Sequence, residues 1–210
     1  MSNVETATLG HFLQHGFMAP SIQALFPSRR IFGPALTVRV PGEDDSALIE
    51  ALSIAAPGEV IVVDRCGDLR HACFGAVMAQ AAHERRVAGV VVDGFVTDRA
   101  ALLALGLPVW CRGRSPITTR NRRLSGEVGG LITCGGVRVG KGDIILADES
   151  GVVVLDPAQA GQLADTALQM QRDETDILRR LKAGETLKQI TAQAQPPDGP
   201  WPQRRRRSFP

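Results

Sequence analysis

From Gly33 onward the chain alternates short β-branched apolar runs with stretches of good helix formers. Gly33–Val40 (GPALTVRV), Val60–Asp64 (VIVVD), Gly89–Asp93 (GVVVD) and Pro108–Arg112 (PVWCR) are bounded by Gly, Pro or acidic residues and read as strands. Between them, Ser46–Ala55, Gly75–Arg86 and Asp98–Leu105 are rich in Ala, Leu, Met and Gln and read as helices. Strands at 60–64, 89–93 and 108–112 separated by helices predict an α/β fold with a parallel βαβαβ core and right-handed crossovers. Next come Val137–Val139, Ile144–Ala147 and Val152–Leu155, divided by the turn signals GKGD and DESG, which predict a small antiparallel β layer. Pro157–Leu181 then predicts one long helix. Asp156 is its candidate cap, Pro157 suits its first turn, and Leu163, Ala167, Met170, Ile177 and Leu181 follow a roughly helical period. Glu185–Ala192 adds a last turn. Such a helix packs either on its own chain or on a neighbouring subunit.

Composition narrows the class. The 210 residues carry 24 Lys+Arg against 22 Asp+Glu and are 44% hydrophobic, which suits one globular domain over 1–195 and excludes a charged, disordered polymer as the main body. The longest run free of polar residues, Gly and Pro is Ala100–Leu105, far short of a membrane span. The start, MSNVETATLGHF, has no basic segment followed by an apolar block, and the four cysteines form no CxxC pair. Reduced thiols in a cytoplasmic protein are the expectation. Residues 196–210 (PPDGPWPQRRRRSFP) hold five prolines and a net charge of +3, leaving −1 on the rest. This segment reads as a flexible, solvated tail or as a hook for an acidic partner, and four arginines alone do not establish nucleic-acid binding.

Ligands of a parallel sheet gather beyond the carboxyl ends of its strands. Two loops leave that edge, Arg65–Phe74 (RCGDLRHACF) and Gly94–Thr97. Gly75, opening the next helix without a Cβ, either lets a ligand reach the N–H groups of Ala76, Val77 and Met78 or merely relieves packing. Asp93 and Asp98 flank the second loop. Either carboxylate could hold a hard divalent cation, while the structural alternatives are a turn at Asp93-Gly94 and a helix cap at Asp98. His11, His15, His71 and His83 show no HExxH or zinc-finger spacing, and no GxSxG elbow occurs. Gly135–Lys141 matches GxxxxGK, but Gly142 stands where a P-loop needs Ser or Thr. The three lysines, Lys141, Lys182 and Lys188, lie in a turn or near a polar helix end, a poor setting for Schiff-base chemistry.

The run PGEVIVVDRCGDLRHACFGAVMAQAAHERRVAGVVVDGFVTD, followed by CGGVRVGKGDIILADESGVVVL, resembles the RraA-like family. That family contains 4-hydroxy-4-methyl-2-oxoglutarate / 4-carboxy-4-hydroxy-2-oxoadipate aldolases and the regulator of ribonuclease E activity A. The likeness extends from about Leu9 to Gln189, with GPALTV at 33–38 and LRRLKAGE at 178–185. It implies a β/β/α swivelling-domain fold and a homotrimer or homohexamer with sites between subunits. It also implies Mg²⁺ or Mn²⁺ held by Asp98 and, through water, by an acid of a neighbour's C-terminal helix. That acid falls at Glu174, with Asp173 the weaker match. Substrate would sit on Gly75, Ala76, Val77, Met78 and Thr97. Two positions depart from the aldolases: Thr97 replaces the Arg of a DGxxRD motif, and Ala76 replaces an acid. Thr offers a carboxylate no bidentate cation. Arg70, His71 or Arg99 is the candidate substitute, with Arg70 and Arg99 joining Asp98 as catalytic candidates. The regulator branch shows the opposite pattern, keeping the Arg and losing the Asp.

The resulting expectation is a divalent-metal-dependent lyase of aldolase or decarboxylase type. It acts through an enolate on a small 2-oxo acid or related enolisable compound, with no membrane or nucleic-acid partner. The alternatives are a regulator-like protein-binding module and a biosynthetic enzyme that reuses the enolate site for isomerisation or cyclisation.

Overall fold

The computed structural model describes residues 3–27, 29–123 and 126–193, so the tail at 196–210 lies outside the described residues. In chain order the elements are α1 (Thr6–Gly10), β1 (Gln23–Ala24), β2 (Ile31–Arg39), α2 (Ser46–Ile54), β3 (Val60–Asp64), β4 (Ala72–Phe74) and α3 (Ala76–Glu84). There follow β5 (Gly89–Val96), α4 (Arg99–Leu105), β6 (Val109–Arg114), β7 (Glu127–Val128), β8 (Ile132–Cys134) and β9 (Val137–Val139). The last are β10 (Ile144–Asp148), β11 (Gly151–Leu155), α5 (Pro157–Lys182) and α6 (Leu187–Gln193). The class is α/β, as the alternation of apolar runs and helix formers predicts.

The main sheet runs β1-β6-β5-β3-β2-β10-β11. Its centre is parallel: β2 pairs β3 from Ala35↔Val60, β3 pairs β5 from Val60↔Gly89, and β5 pairs β6 from Val90↔Val109. These strands are apolar at nearly every position because both faces are covered. One face packs Leu36, Val38, Ile61, Val63, Val90 and Val92 against α2, α3 and α4. The other packs Val60, Val62, Val91 and Trp110 against Ile132, Cys134 and Val139. Trp110 is fully buried, and its Nε1–H donates to the Asp148 carbonyl (2.8 Å).

The antiparallel part differs from the sequence expectation in one respect. β10 and β11 form a hairpin, but β10 also pairs β2 from Ala147↔Ile31 to Ile144↔Pro34 and so extends the main sheet. Without it, β2 would present an open edge of unpaired backbone groups. Only β9 stands apart, paired with β8. The long helix forms as expected, with the Ala158 N–H donating to the Asp156 carboxylate (2.9 Å) and Pro157 at its start. Ala160, Ala164 and Ala167 of α5 are buried, and the last two pack with Val4 and Leu9 over β10 and β11. The N-terminal segment is fastened there as well: Thr6 N–H (2.8 Å) and Oγ1–H (2.5 Å) both donate to the buried Asp148 carboxylate. No helix among the described residues is long and apolar enough to cross a membrane.

Trp110→Ala should remove about 3–5 kcal/mol of stability, the range for large-to-small changes at buried aromatic positions. Urea denaturation checks this; a loss under 1 kcal/mol would mean that Trp110 does not hold the two layers together.

Candidate active site

The two carboxyl-edge loops are more structured than their sequences imply. Residues 94–96, expected in a loop, continue β5, because partners reach them from both sides. Phe74 pairs Val96 from β4, and Arg114 pairs Val96 from β6, after a register shift in each ladder. The Arg65–Phe74 loop therefore ends in β4, whose Phe74 carbonyl accepts the Thr97 N–H (2.9 Å). Ser115 N–H donates to the Val96 carbonyl (3.0 Å).

This pairing delivers Asp98 to a defined place. Asp98 occupies the cap position of α4 in a left-handed conformation (φ 52°, ψ 40°), yet its side chain makes no capping bond to that helix. Its Oδ2 instead accepts the N–H of Ala76 (2.9 Å), the first residue of α3. Thr97 Oγ1 lies 3.4 Å from Asp98 Oδ1. Gly75 makes this approach possible: a Cβ there would stand 2.6 Å from Asp98 Oδ2 and 2.7 Å from Thr97 Cγ2. Of the two readings of Gly75, packing relief is thus required by the structure, and what it admits is Asp98. Within α3 the first amide to bond back is that of Ala79, to the Gly75 carbonyl (2.9 Å). The Val77 and Met78 amides belong to the open first turn, where helices lack internal acceptors. Val77 is 81% exposed.

Asp93 serves the fold. Its carboxylate pairs with Arg112 and accepts the Gly135 N–H (2.7 Å), joining β5, β6 and the β8–β9 turn. Asp98, exposed at the sheet edge, remains the available carboxylate of the pair. Glu174 lies on the exposed surface of α5, and Asp173 accepts from Gln169 Nε2 (2.8 Å) on the same helix. Among the described residues no group of three or more His, Cys, Asp and Glu comes together. The structure therefore does not unite Asp98 and Glu174 in such a cluster within one chain. Arg99 lies over the Phe26 ring, 5.4 Å from its centroid.

The loop from β3 to β4 is built around Asp68. Its carboxylate accepts from the backbone N–H of Arg70 (2.7 Å) and of His71 (3.1 Å), from Arg65 Nη2 (2.9 Å), and lies 2.8 Å from His71 Nδ1. Arg65, which the sequence alone does not single out, is fully buried. It donates to the Val40 (2.6 Å) and Gly42 (2.5 Å) carbonyls, while its Nε has no hydrogen-bond partner in the structure. Gly94 leaves room for it: a Cβ there would lie 2.5 Å from Arg65 Cγ. Burial pushes the Asp68 carboxyl up, but the two backbone N–H groups, the His71 ring and the Arg65 charge outweigh it and hold the group below its ordinary 3.8. The cysteine thiols are all shifted away from reactivity. Burial raises Cys73 to about 12 and lifts Cys111 and Cys134, and partial burial with the Asp64 charge lifts Cys66.

The family model described as "Aldolase/RraA" matches residues 5–154. The chain belongs to the RraA-like family. It is 34% identical over 157 residues to a protein of Halalkalibacterium halodurans named "Putative 4-hydroxy-4-methyl-2-oxoglutarate aldolase", covering 75% of this chain and 74% of that one. Streptomyces coelicolor RraAS2, described as an unusual member of the RNase ES inhibitor RraA protein family, superposes with a TM-score of 0.73 at 29% identity. That match covers 83% of this chain and 91% of the other. The RNA-processing inhibitor RraA from Thermus thermophilis gives a TM-score of 0.66 at 30% identity over 73% of this chain and 93% of its own. Similarity thus spans both branches of this RraA-like family, and both the aldolase and the inhibitor names belong to those relatives.

Asp68→Asn should cost about 3 kcal/mol at neutral pH, since it strips the buried Arg65 of its counter-ion. A carboxyl held low stabilises the fold above its ordinary value and loses that effect as pH falls through its folded value. The stability gap between the two proteins should therefore close as pH drops below about 3.8. Urea denaturation at stepped pH reads this out, and a gap that stays constant down to acid would contradict it.

Proposed function

We propose that the protein is a divalent-metal-dependent carbon–carbon lyase, an aldolase or oxo-acid decarboxylase acting on a small 2-oxo acid. The observation that carries this reading is the Asp98 carboxylate, held on the open end of α3 by the Ala76 N–H in a left-handed backbone that nothing in α4 requires. Asp tolerates this conformation better than most side chains, and Cys66, Arg86 and Arg123 share it, so the placement of the carboxylate rather than the backbone state is what supports the reading. The donor set suits a hard ion: Mg²⁺ or Mn²⁺ binds through one or two carboxylates and keeps several waters, so it needs no three-residue cluster, whereas a structural zinc site would. Asp98 would hold the ion directly, and Glu174 from a second copy would hold one of its waters. In a homo-oligomer, trimer or hexamer, the site would lie between chains, and Glu174 is exposed and so open to a second copy. When bound, the cation supplies Lewis-acid polarisation of the 2-oxo group and thereby the electron sink for cleavage of the neighbouring C–C bond.

The chain's own groups do the rest. The Val77 and Met78 amides, at the positive end of α3, donate to a substrate oxygen. Ala76 brings no polar side chain to Asp98, and the Thr97 hydroxyl lies 3.4 Å from Asp98 Oδ1. The aldolase name of the Halalkalibacterium relative supports the reaction class. A regulator-like, non-catalytic reading finds its support in the likeness to RraAS2 and to the Thermus inhibitor.

Purified protein with Mg²⁺ or Mn²⁺ should release pyruvate from oxaloacetate or from 4-hydroxy-4-methyl-2-oxoglutarate, and chelator should stop it. A bound cation contributes several kcal/mol at such a centre, so Asp98→Ala should lower kcat by roughly 1,000-fold. Turnover indifferent to chelator and to Asp98→Ala would rule out the metal-lyase reading, and silence on both substrates would favour the regulator-like one.

A further inference from the structure

Two paired parallel strands normally advance together, residue for residue. β5 and β6 do not. Val92 faces Cys111, but Val96 faces Arg114, so β5 spends four residues where β6 spends three. The extra residue falls at Asp93-Gly94 and makes a β-bulge, rare in a parallel pair and a device that re-aims the chain following it. Asp98 depends on it. Had β5 kept its first register, Arg114 would face Phe95, and every later residue would lie one step, about 3.3 Å, further along. Thr97 would then stand where Asp98 does, and the carboxylate would overshoot the Ala76 N–H that it now accepts (2.9 Å).

Two contacts hold the bulge. Asp93 is fastened on both sides, by Arg112 of β6 and by the Gly135 N–H (2.7 Å). Gly94 meets the stem of Arg65: a Cβ at 94 would lie 2.5 Å from Arg65 Cγ and 3.2 Å from its Cβ. Asp64, the last residue of β3, pairs Asp93, so Arg65 comes next along β3 as Gly94 does along β5. Arg65 is itself pinned. It is fully buried, with Nη1 donating to the Val40 carbonyl (2.6 Å) and Nη2 to the Gly42 carbonyl (2.5 Å) and Asp68 (2.9 Å). A buried guanidinium costs stability that an apolar side chain of the same length would not, so packing on Gly94 alone does not call for arginine. An arginine ties the stem to two other loops and leaves it no room to retreat."

We propose that Arg65 is a positioning residue for Asp98: wedged on Gly94, its stem keeps the extra residue of β5 in the bulge and so brings Asp98, rather than Thr97, to the first turn of α3. This inference rests on the reading of Asp98 as a cation ligand. Arg65, shut off from solvent, touches no ligand and acts through Gly94 and the four residues after it. The test is a titration of the full chain with Mn²⁺, the free ion being read by electron paramagnetic resonance and the fold of each variant by circular dichroism. Arg65→Ala removes the stem and should weaken Mn²⁺ binding about 10- to 100-fold, the range for residues that orient a metal ligand. Arg65→Lys keeps the stem on Gly94 and should retain most of the affinity. Trp110→Ala, which loosens the core without touching Gly94, should leave it unchanged. Gly94→Ala, one methyl against an intact Arg65, should weaken binding as Arg65→Ala does, and decides the question where Arg65→Ala does not fold. Unchanged affinity in folded Arg65→Ala or Gly94→Ala, a loss in Arg65→Lys as deep as in Arg65→Ala, or an equal loss in Trp110→Ala overturns the positioning role and leaves the lyase reading standing. Absence of Mn²⁺ binding by the unaltered protein overturns both.

Discussion

The site hangs from β5. Its first half is a buried parallel strand held between β3 and β6, and its second half is held between β4 and β6 after a shift in register. That double pairing carries the chain past Asp93 as strand rather than loop and ends it at Thr97-Asp98, against the start of α3. Parallel strands buried on both faces have little freedom to slide, because a one-residue slip would turn every apolar side chain to the wrong face. The position of Asp98 is therefore a consequence of core packing many residues away. The Gly75 gap then lets its carboxylate reach the Ala76 amide.

Around this fixed point, charge is sorted by depth. Two part-buried acids are matched to arginines, Asp93 to Arg112 and Asp68 to Arg65, while the buried Asp148 is held by Thr6. They hold the loops that frame the edge. The exposed carboxylate, Asp98, and the exposed arginine, Arg114, are not matched to each other. The register sets Arg114 opposite Val96, two residues before Asp98. Burial raises all four thiols.

Local pattern was enough for the parallel core, the helices and the capped start of α5, because each is written in consecutive residues. It also drew attention to Gly75, Ala76 and Asp98. What it left open were relations between distant segments. Nothing near Asp98 in the chain says that its carboxylate caps a helix beginning 22 residues earlier, rather than its own. The extension of β5 through Gly94 is hidden because its partners, β4 and β6, come from either side in the sequence. Arg65 looks like a solvated loop residue until Gly94 is seen to make room for it. Arg114 carries no motif at all, and only the register of β6 brings it beside the end of β5.

The central claim is that Asp98, poised on the first turn of α3, is a divalent-cation ligand. A crystal of the protein soaked in Mn²⁺, with anomalous diffraction recorded at the manganese edge, tests it most directly. The account predicts a manganese peak at bonding distance from an Asp98 carboxylate oxygen, with most other ligands being water, and no such peak in Asp98→Asn. Manganese bound elsewhere with Asp98 bare, or no manganese at all, would contradict it.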